Sequence, residues 1–403
     1  MNLINSAKIF WIIVFLCQNY LFFAQNVPKT IVFNGEVLAK NQKILSEGKD
    51  SEKVNALKTF LAHADKIVKK GKFYSVMDKT IVPPSGDKHD YMSQAPYWWP
   101  DSSKPNGLPY IRRDGERNPE LNKISDHEEM SEMIEDVGTI ALAYYFSKDE
   151  KYGQHAARLL KTWFLDKETR QNPHLNFGQG IPGINTGRGI GIIETRFLYQ
   201  VIDAAILLRG SKNWSENDEK GLKKWFSDYL KWLIESPIGK DESDEHNNHG
   251  THYDVQIISL ALFTEQPEIA KKQLDETKKR IKSQFQADGS QPHELARTVS
   301  WGYTNMNLLG FLTIARLAEN LKIDLWQFET DDAKSIKKCV DWLVPFLKNE
   351  KTWTHKQIKK ITYEETVKIL KIAAKAYVNP AYEDLAKKID AESYQSAIYQ
   401  LTF

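Results

Sequence analysis

The chain has 403 residues, of which 41% are hydrophobic and 27% are charged, so it can bury a large core and is neither disordered nor collagen-like. Its 55 Lys and Arg against 53 Asp and Glu leave a net charge of +2, which argues against a nucleic-acid-binding protein because phosphate binding normally requires a strongly basic domain. Any anionic ligand must therefore meet positive charge that is concentrated locally.

Residues 1–25 have the pattern of a secretory signal peptide. Lys8 supplies the positive start, residues 9–16 supply a short apolar stretch, and Ala24 is a small residue at the expected cleavage end. The apolar stretch is too short to favour a membrane anchor. We therefore predict a periplasmic or secreted protein with no membrane span in the mature chain, and a single catalytic domain over residues 26–403.

Apolar residues recur at helical spacing through the mature chain, and alternating strand-like runs are scarce. In chain order, the pattern predicts helices near residues 50–70, 127–147, 150–165, 189–209, 216–235, 252–264, 267–286, 300–320, 332–348 and 363–388, and residues 377–403 are expected to form a helix with a short tail. Tight turns between consecutive helices fit antiparallel helical hairpins. We therefore predict an all-α fold, an (α/α) toroid or incomplete α/α barrel.

Four connections between these helices are long and rich in aromatic residues, Gly, Pro, Asn and His. They are residues 77–122, 167–188, 237–251 and 287–299. Long structured loops in compact domains are usually functional. If the hairpins alternate in direction, all four loops emerge at one end of the toroid and surround one cleft.

The first loop contains aromatic residues between Pro and Gly, without a helical period. Flat aromatic faces suit the apolar faces of sugar rings, and the flanking polar groups suit hydroxyls and carboxylates. In the alternative interpretation, Trp98 and Trp99 only fill the base of the loop. The candidate substrate-binding residues here are Tyr91, Gln94, Tyr97, Trp98 and Arg113.

The second loop leads into a glycine-rich helix start at residues 187–191. Glycines let the backbone approach a ligand closely, and a helix N-terminus favours an anion. No strand precedes this segment, so it is not a dinucleotide-binding fingerprint. Glu194 is a candidate cleft residue, unless it only forms a structural ion pair with Arg196.

The third loop carries the adjacent Asn248 and His249 ahead of a helix, and both side chains can face the cleft if they lie in the irregular turn before that helix. His246, His249 and His252 are spaced by three, but steps of three move around a helix instead of converging, so a zinc site is not favoured. In the alternative interpretation, His249 is only a helix cap or a hydrogen-bonded structural group.

The fourth loop carries Arg297 and, six residues later at a helix start, Tyr303. A free Tyr has a pKa of about 10 and is a poor base, but a nearby cation stabilises its phenolate. Arg297 can supply that cation. Alternatively, Arg297 caps the turn at Asp288 and Gly289, and Tyr303 is an interface aromatic.

The side chains of Asn248, His249, Arg297 and Tyr303 together have the chemistry that β-elimination on a uronic-acid polymer needs. The C5 proton lies α to a carboxylate, and its removal builds negative charge that Asn248 and Arg297 can stabilise. Tyr303 can perform either proton transfer, and His249 can act as base when the C5 proton points to the other face. The reaction requires no metal and no cofactor.

The segments DKHDYMSQAPYWWP, PYIRRDG, GQGIPGINTGRGIGIIETR, NNHGTHYDVQ and DGSQPHELARTVSWGY, within residues 86–303, resemble the alginate lyase superfamily of polysaccharide lyases, most closely its secreted Bacteroidetes-type members. The resemblance implies an (α/α) toroid that cleaves an anionic polysaccharide or oligosaccharide by β-elimination. The site residues it implies are a carboxylate neutraliser at Asn248, a catalytic His249, a carboxylate-interacting Arg297, a catalytic Tyr303, and subsite or lid residues Gln179, Arg188, Tyr97 and Trp98.

One position departs from the resemblance. Similar sequences tend to have Trp after NNHGT, where this chain has His252, and this puts stacking in that subsite and the preferred uronate in doubt. Alginate, and polymannuronate in particular, is the expected substrate, and glucuronan presents the same carboxylate.

Two other functions remain as alternatives. A glycoside hydrolase on the same toroid would use two carboxylates, such as Asp90 and Glu194, as acid and base. A non-catalytic periplasmic protein would use the aromatic cleft only to capture glycans. Neither would generate an unsaturated product.

Overall fold

The computed structural model describes residues 27–389 and 394–403. Helices α1–α15 span, in chain order, Gly35–Glu47, Ser51–Lys70, Asp126–Ser147, Glu150–Leu160, Leu198–Leu207, Glu216–Glu235, Pro237–Ser243, Asn248–Phe263, Pro267–Gln284, Pro292–Leu295, Ser300–Glu319, Ile336–Leu347, Glu364–Ala376, Pro380–Ile389 and Tyr394–Thr402. Strands β1–β4 are Met92–Gln94, Trp98–Trp99, Ile111–Arg112 and Phe177–Gly180. The signal peptide predicted at residues 1–25 lies outside the described residues, so export remains a prediction.

Five helices form an inner ring in which each packs on the next: α3, α5, α8, α11 and α13. Outer helices pack on them as antiparallel partners, with α4 on α3, α9 on α8 and α14 on α13. The first and last parts of the chain complete the structure, because α15 packs on α2 and α2 packs on α3. The predicted α/α toroid is therefore confirmed.

Inner and outer helices differ in sequence: inner helices are apolar on most of their surface, and outer helices have one apolar face. In α11, 15 of 20 residues are buried, as expected for a helix surrounded by protein. In α9 the buried residues are Ala270, Leu274, Thr277, Ile281 and Gln284, a single stripe at helical spacing. One apolar face is enough for an outer helix, because its other side meets water.

Several helix boundaries differ from the prediction for local reasons. Helix α8 begins at Asn248 instead of residue 252, because the Asn247 side chain caps it by accepting the backbone N–H of His249 at 2.8 Å. The predicted helix at 189–209 is a 3-10 turn, Gly189–Thr195, followed by α5. The predicted helix at 363–388 is interrupted ahead of Pro380, which begins α14. Helix α1 was not predicted.

The four long loops meet at one end of the toroid, as predicted. The first and second are joined by the parallel pairing of β1 and β4. The Gly189 N–H, at the end of the second loop, donates a hydrogen bond to Asp241 of the third loop at 3.2 Å. The Asn248 N–H of the third loop donates a hydrogen bond to Glu294 of the fourth loop at 2.7 Å. Asp114 of the first loop binds the fourth. These contacts surround one cleft.

The first loop also has internal order that a purely helical prediction lacks. Strands β2 and β3 form a short antiparallel pair that holds the Trp98 and Trp99 segment. At the base of the loop, Lys79 and Asp126 form an ion pair at 3.0 Å whose side chains are both completely buried. Within the described residues, no helix is both long and apolar enough to cross a membrane.

Candidate active site

Asn248 lies in the first turn of α8 and is clamped by a glutamate that sequence analysis did not identify. Its backbone N–H and its Nδ2 donate to the two carboxylate oxygens of Glu294, at 2.7 and 2.8 Å. Burial raises the pKa of Glu294 to about 6, while the Asn248 hydrogen bonds and the charges of Arg297 and His249 act in the opposite direction. Arg297 and His249 therefore lie within electrostatic reach of the same carboxyl group.

The clamp places Asn248 deeper than predicted. None of its surface is exposed, and its Oδ1 has no hydrogen-bond partner among the described residues. The prediction that Asn248 faces the cleft if it lies in an irregular turn does not hold, since the residue lies in the first turn of α8 and Glu294 holds its amide.

His249 pairs with Glu242, which lies at the end of α7. Nδ1 of His249 is 2.9 Å from Oε1 of Glu242, whose side chain is completely buried, while the His249 side chain is 13% exposed. Burial raises the pKa of Glu242, against the hydrogen bond from His249. A carboxylate at Nδ1 favours the tautomer with hydrogen on that atom, which leaves the lone pair on Nε2. The imidazole can then accept a proton at Nε2.

Arg297 forms a two-point ion pair with Asp114 across the cleft. Its Nη2 and Nε donate to the carboxylate at 2.7 and 3.2 Å, and Nη1 makes no hydrogen bond among the described residues. Burial raises the pKa of Asp114, but hydrogen bonds from Arg297 and Thr298 hold it well below its usual range. The alternative in which Arg297 caps the turn at Asp288 is wrong, since its partner is the first loop.

Tyr303 packs under Arg297, and its hydroxyl faces another predicted site residue. The guanidinium carbon lies 3.7 Å from the centre of the Tyr303 ring, and the Tyr303 hydroxyl donates to the Tyr97 hydroxyl at 2.9 Å. Burial and Tyr97 raise the pKa of Tyr303 well above its usual value, and Arg297 only partly opposes them. The expected stabilisation of a phenolate is therefore outweighed, and Tyr303 is a protonated phenol in this state.

Arg188 presents a cation without an acidic partner. It donates to the backbone oxygen and to Oε1 of Gln179, at 3.2 and 2.9 Å, and forms no ion pair within 4 Å among the described residues. Gln179 has a left-handed backbone, φ 49°, held by its N–H on Ser93 at 2.8 Å; such strain is often found at functional sites. The guanidinium lies 6.0 Å from the Trp98 ring centre, so an anionic sugar can meet a charge and an aromatic face together.

Glu194 and Tyr91 lie beneath the cleft and do not line it as predicted. Tyr91 is completely buried, and its hydroxyl donates to Glu194 at 2.7 Å. Ser93 donates to the same oxygen at 2.6 Å, and His127 lies 3.6 Å from the other. The alternative ion pair with Arg196 is absent from the described structure. Both residues act as supports, because their polar atoms are directed at each other.

Asp90, the second carboxylate of the hydrolase alternative, is also engaged and buried. It accepts from Ser85 at 2.6 Å and from Asn172 at 2.7 Å, and lies 3.0 Å from Nε2 of His174. A hydrolase needs carboxyl groups that face the scissile bond. Asp90 and Glu194 do not meet that requirement.

The remaining predicted residues occupy different depths. His252 is buried rather than placed in a subsite, and burial with the charges of Arg196 and His249 lowers its pKa to about 3. Gln94 is half-buried, and its Nε2 has no partner among the described residues. Arg113 is exposed, with its guanidinium 5.2 Å from the Trp99 ring centre.

Comparison with known proteins gives the same family as the sequence motifs. A family model for alginate lyase matches residues 75–353, over two thirds of the chain. The crystal structure of an alginate lyase from Bacteroides ovatus is 40% identical with a TM-score of 0.87, and the match covers 94% of this chain and 100% of that one. No match is found among curated proteins.

More distant structures share the fold. Alginate lyase A1-III from Sphingomonas species A1 is 16% identical with a TM-score of 0.59, covering 94% of this chain and 98% of that one. A histidine-to-alanine variant of A1-III complexed with a tetrasaccharide is 15% identical with a TM-score of 0.60 over the same shares. By its family match and its 40% identical relative, this chain is a polysaccharide lyase that belongs to the alginate lyase family.

Proposed function

We propose that this enzyme cleaves alginate by β-elimination in the cleft surrounded by the four loops. One observation carries the proposal: two groups suited to opposite proton transfers lie near Arg297. His249 can accept a proton at Nε2, and the Tyr303 phenol retains its proton. Elimination needs a base at C5 and an acid at the C4 oxygen. The relatives named above supply the choice of alginate as substrate.

In the proposed reaction, Arg188 and Trp98 bind a uronate next to the bond that breaks. Nε2 of His249 removes the C5 proton, and Nη1 of Arg297 stabilises the charge that develops on the C5 carboxylate. Electrons from the C5–H bond form the C4–C5 double bond as the C4–O bond breaks, and Tyr303 protonates the departing oxygen.

Asn248 joins this arrangement only when its amide leaves its present partner. Its side chain is enclosed in the described conformation, and its Nδ2 donates to Glu294. The Asn248–Glu294 contact must therefore rearrange before the amide can donate to a substrate carboxylate. Until then, Arg297, whose side chain is 18% exposed, is the accessible group for the carboxylate.

The proposal is tested by incubating the purified enzyme with alginate, polymannuronate, polyguluronate and glucuronan. Ultraviolet absorbance reports the unsaturated ends that elimination forms, and a reducing-sugar assay reports every bond that is cleaved. We expect both signals to rise in equal molar amounts on alginate. New reducing ends without absorbance would indicate hydrolysis, and binding without either signal would indicate a glycan-capture protein.

A further inference from the structure

A cavity of about 910 Å³ lies inside the toroid, separate from the catalytic groups. It is bounded by α3, α5, α11, α13 and α15, and none of Asn248, His249, Arg297 and Tyr303 lines it. Ser131, Glu135 and Lys375 line it and are exposed, so the cavity communicates with solvent. Its volume is in the range of cavities that bind small molecules.

The end of this cavity nearest the cleft carries two positively charged side chains. Arg196 and Lys368 line it, and neither forms an ion pair within 4 Å among the described residues. Glu365 is the acid that acts on both, but burial raises its pKa and so favours its neutral form.

The acids of the cavity wall are already engaged. Glu194 accepts from Tyr91 and Ser93. Asp203 accepts three backbone N–H groups from residues 31–33, at 2.6 to 3.1 Å. At the far end, Glu319 pairs with Arg316. A ligand at Arg196 would therefore not compete with an existing ion pair.

Polar atoms without hydrogen-bond partners at this end of the cavity indicate which kind of ligand it can bind. Among the described residues, Nε of Arg196 is buried without a hydrogen-bond partner, and Nδ1 of His127 has none closer than Glu194 at 3.6 Å, although buried polar groups are normally paired. Within the described part of the chain, the Arg196 side chain makes one hydrogen bond, from Nη1 to the Ile193 carbonyl at 3.1 Å. Nε and Nη2 remain as an adjacent pair of donors, which matches the two oxygens of a carboxylate.

Neighbouring groups suit the rest of a sugar acid. The side chains of Tyr199 and Gln200 line the cavity beside Arg196, and neither makes a hydrogen bond among the described residues. A phenol and an amide can bind sugar hydroxyls, and Ile134 and Leu312 supply apolar walls for ring carbons. We propose that this cavity is a second binding site for a small uronic acid, whose carboxylate is held by Arg196 and Lys368.

The site is tested by isothermal titration of the full-length mature protein with D-glucuronate, and with D-glucose as its uncharged counterpart. A monosaccharide contains no glycosidic bond, so the result does not depend on the proposed reaction. We expect saturable binding of glucuronate and none of glucose. Arg196→Gln should weaken binding at least roughly tenfold, because a charged hydrogen-bonded pair is lost.

Three further variants make the result specific. Lys368→Gln should also weaken glucuronate binding. It replaces Arg196→Gln in the test if Arg196→Gln melts at a lower temperature than the wild type. Arg188→Gln removes the cation that binds a uronate in the cleft, so the cavity substitutions are compared in that background, where Arg158→Gln, at an exposed position outside the cavity, should leave affinity unchanged. Absence of glucuronate binding by Arg188→Gln, or binding in that background that survives both cavity substitutions, would overturn the proposal.

Discussion

Tyr303 keeps its proton because burial and Tyr97 outweigh the charge of Arg297. If it donates that proton to the leaving oxygen, Tyr303→Phe should lower kcat at least roughly 100-fold while the melting temperature stays unchanged. The rate is followed by ultraviolet absorbance. Tyr363→Phe, at an exposed tyrosine, is the matched control and should match the wild type. Near-normal turnover by Tyr303→Phe would remove Tyr303 from the proton transfers.

Glu242 is a positioning residue for His249. Glu242→Gln keeps an acceptor for Nδ1 but loses the negative charge that favours the reactive tautomer, so kcat should fall roughly 10- to 100-fold with KM unchanged. Steady-state kinetics separate the two constants. Asp244→Asn, an exposed neighbour, is the control. An equal rise in KM would indicate a substrate-binding role instead.

Glu294 gives the fold a defined pH dependence. Burial raises its pKa from 4.5 to about 6, which at about 1.4 kcal/mol per unit of pKa corresponds to about 2 kcal/mol. A raised pKa means that this stability is present below pH 4.5 and is lost as the pH rises through 6. The unfolding free energy of the wild type minus that of Glu294→Gln should therefore fall by about 2 kcal/mol between about pH 4.5 and about pH 7.5.

Urea unfolding at the two pH values measures that difference. Glu268→Gln is the control, since its side chain is 82% exposed and should show no such change. A difference that is constant with pH would mean that folding does not raise the pKa of Glu294.

The residues with distinctive chemistry can be predicted from the sequence, whereas the residues that hold them in place cannot. Asn248, His249, Arg297 and Tyr303 stand out by type and local pattern. Asp114 binds Arg297 across 183 positions of sequence, so no local pattern connects the two residues. Glu294 lies only three residues before Arg297, and that helical spacing was the one signal that could have identified it.

At the level of elements, the hairpin pattern predicted the toroid because apolar periodicity determines which helix face is buried. Boundaries were less predictable where a side-chain cap decides them, as Asn247 does for α8. The small β-pairs within the loops could not be predicted, because strands of two to four residues have too little alternation to detect.

The second loop depends on a glycine where two backbone segments touch. A Cβ on Gly187 would lie 2.0 Å from the Asn176 carbonyl oxygen, so Gly187→Ala should destabilise the protein by about 1–3 kcal/mol and reduce activity as the loop around Arg188 shifts. Urea unfolding measures the loss. In Gly138→Ala the new Cβ would come no closer than 3.6 Å to Gln200, and this helical substitution should be neutral or stabilising. Equal stability of the two variants would contradict the tight contact.

For the whole molecule, near-neutral net charge conceals a concentration of arginines at one end of the toroid. Arg112, Arg113, Arg188 and Arg297 all belong to the loops at one end of the toroid, while several ion pairs of the outer helix α9, such as Lys271 with Glu268, lie within that one helix. The composition therefore excludes long phosphate backbones but permits a polymer bound one carboxylate at a time.

The central claim is that this cleft breaks a glycosidic linkage by elimination, without adding water. Mass spectrometry of the products from a purified alginate tetrasaccharide tests it most directly. We predict that the product masses add up to the mass of the substrate, and that the fragment from the reducing side of the broken linkage carries the unsaturation, at its new non-reducing end. Products whose masses together exceed the substrate by one water would contradict the account.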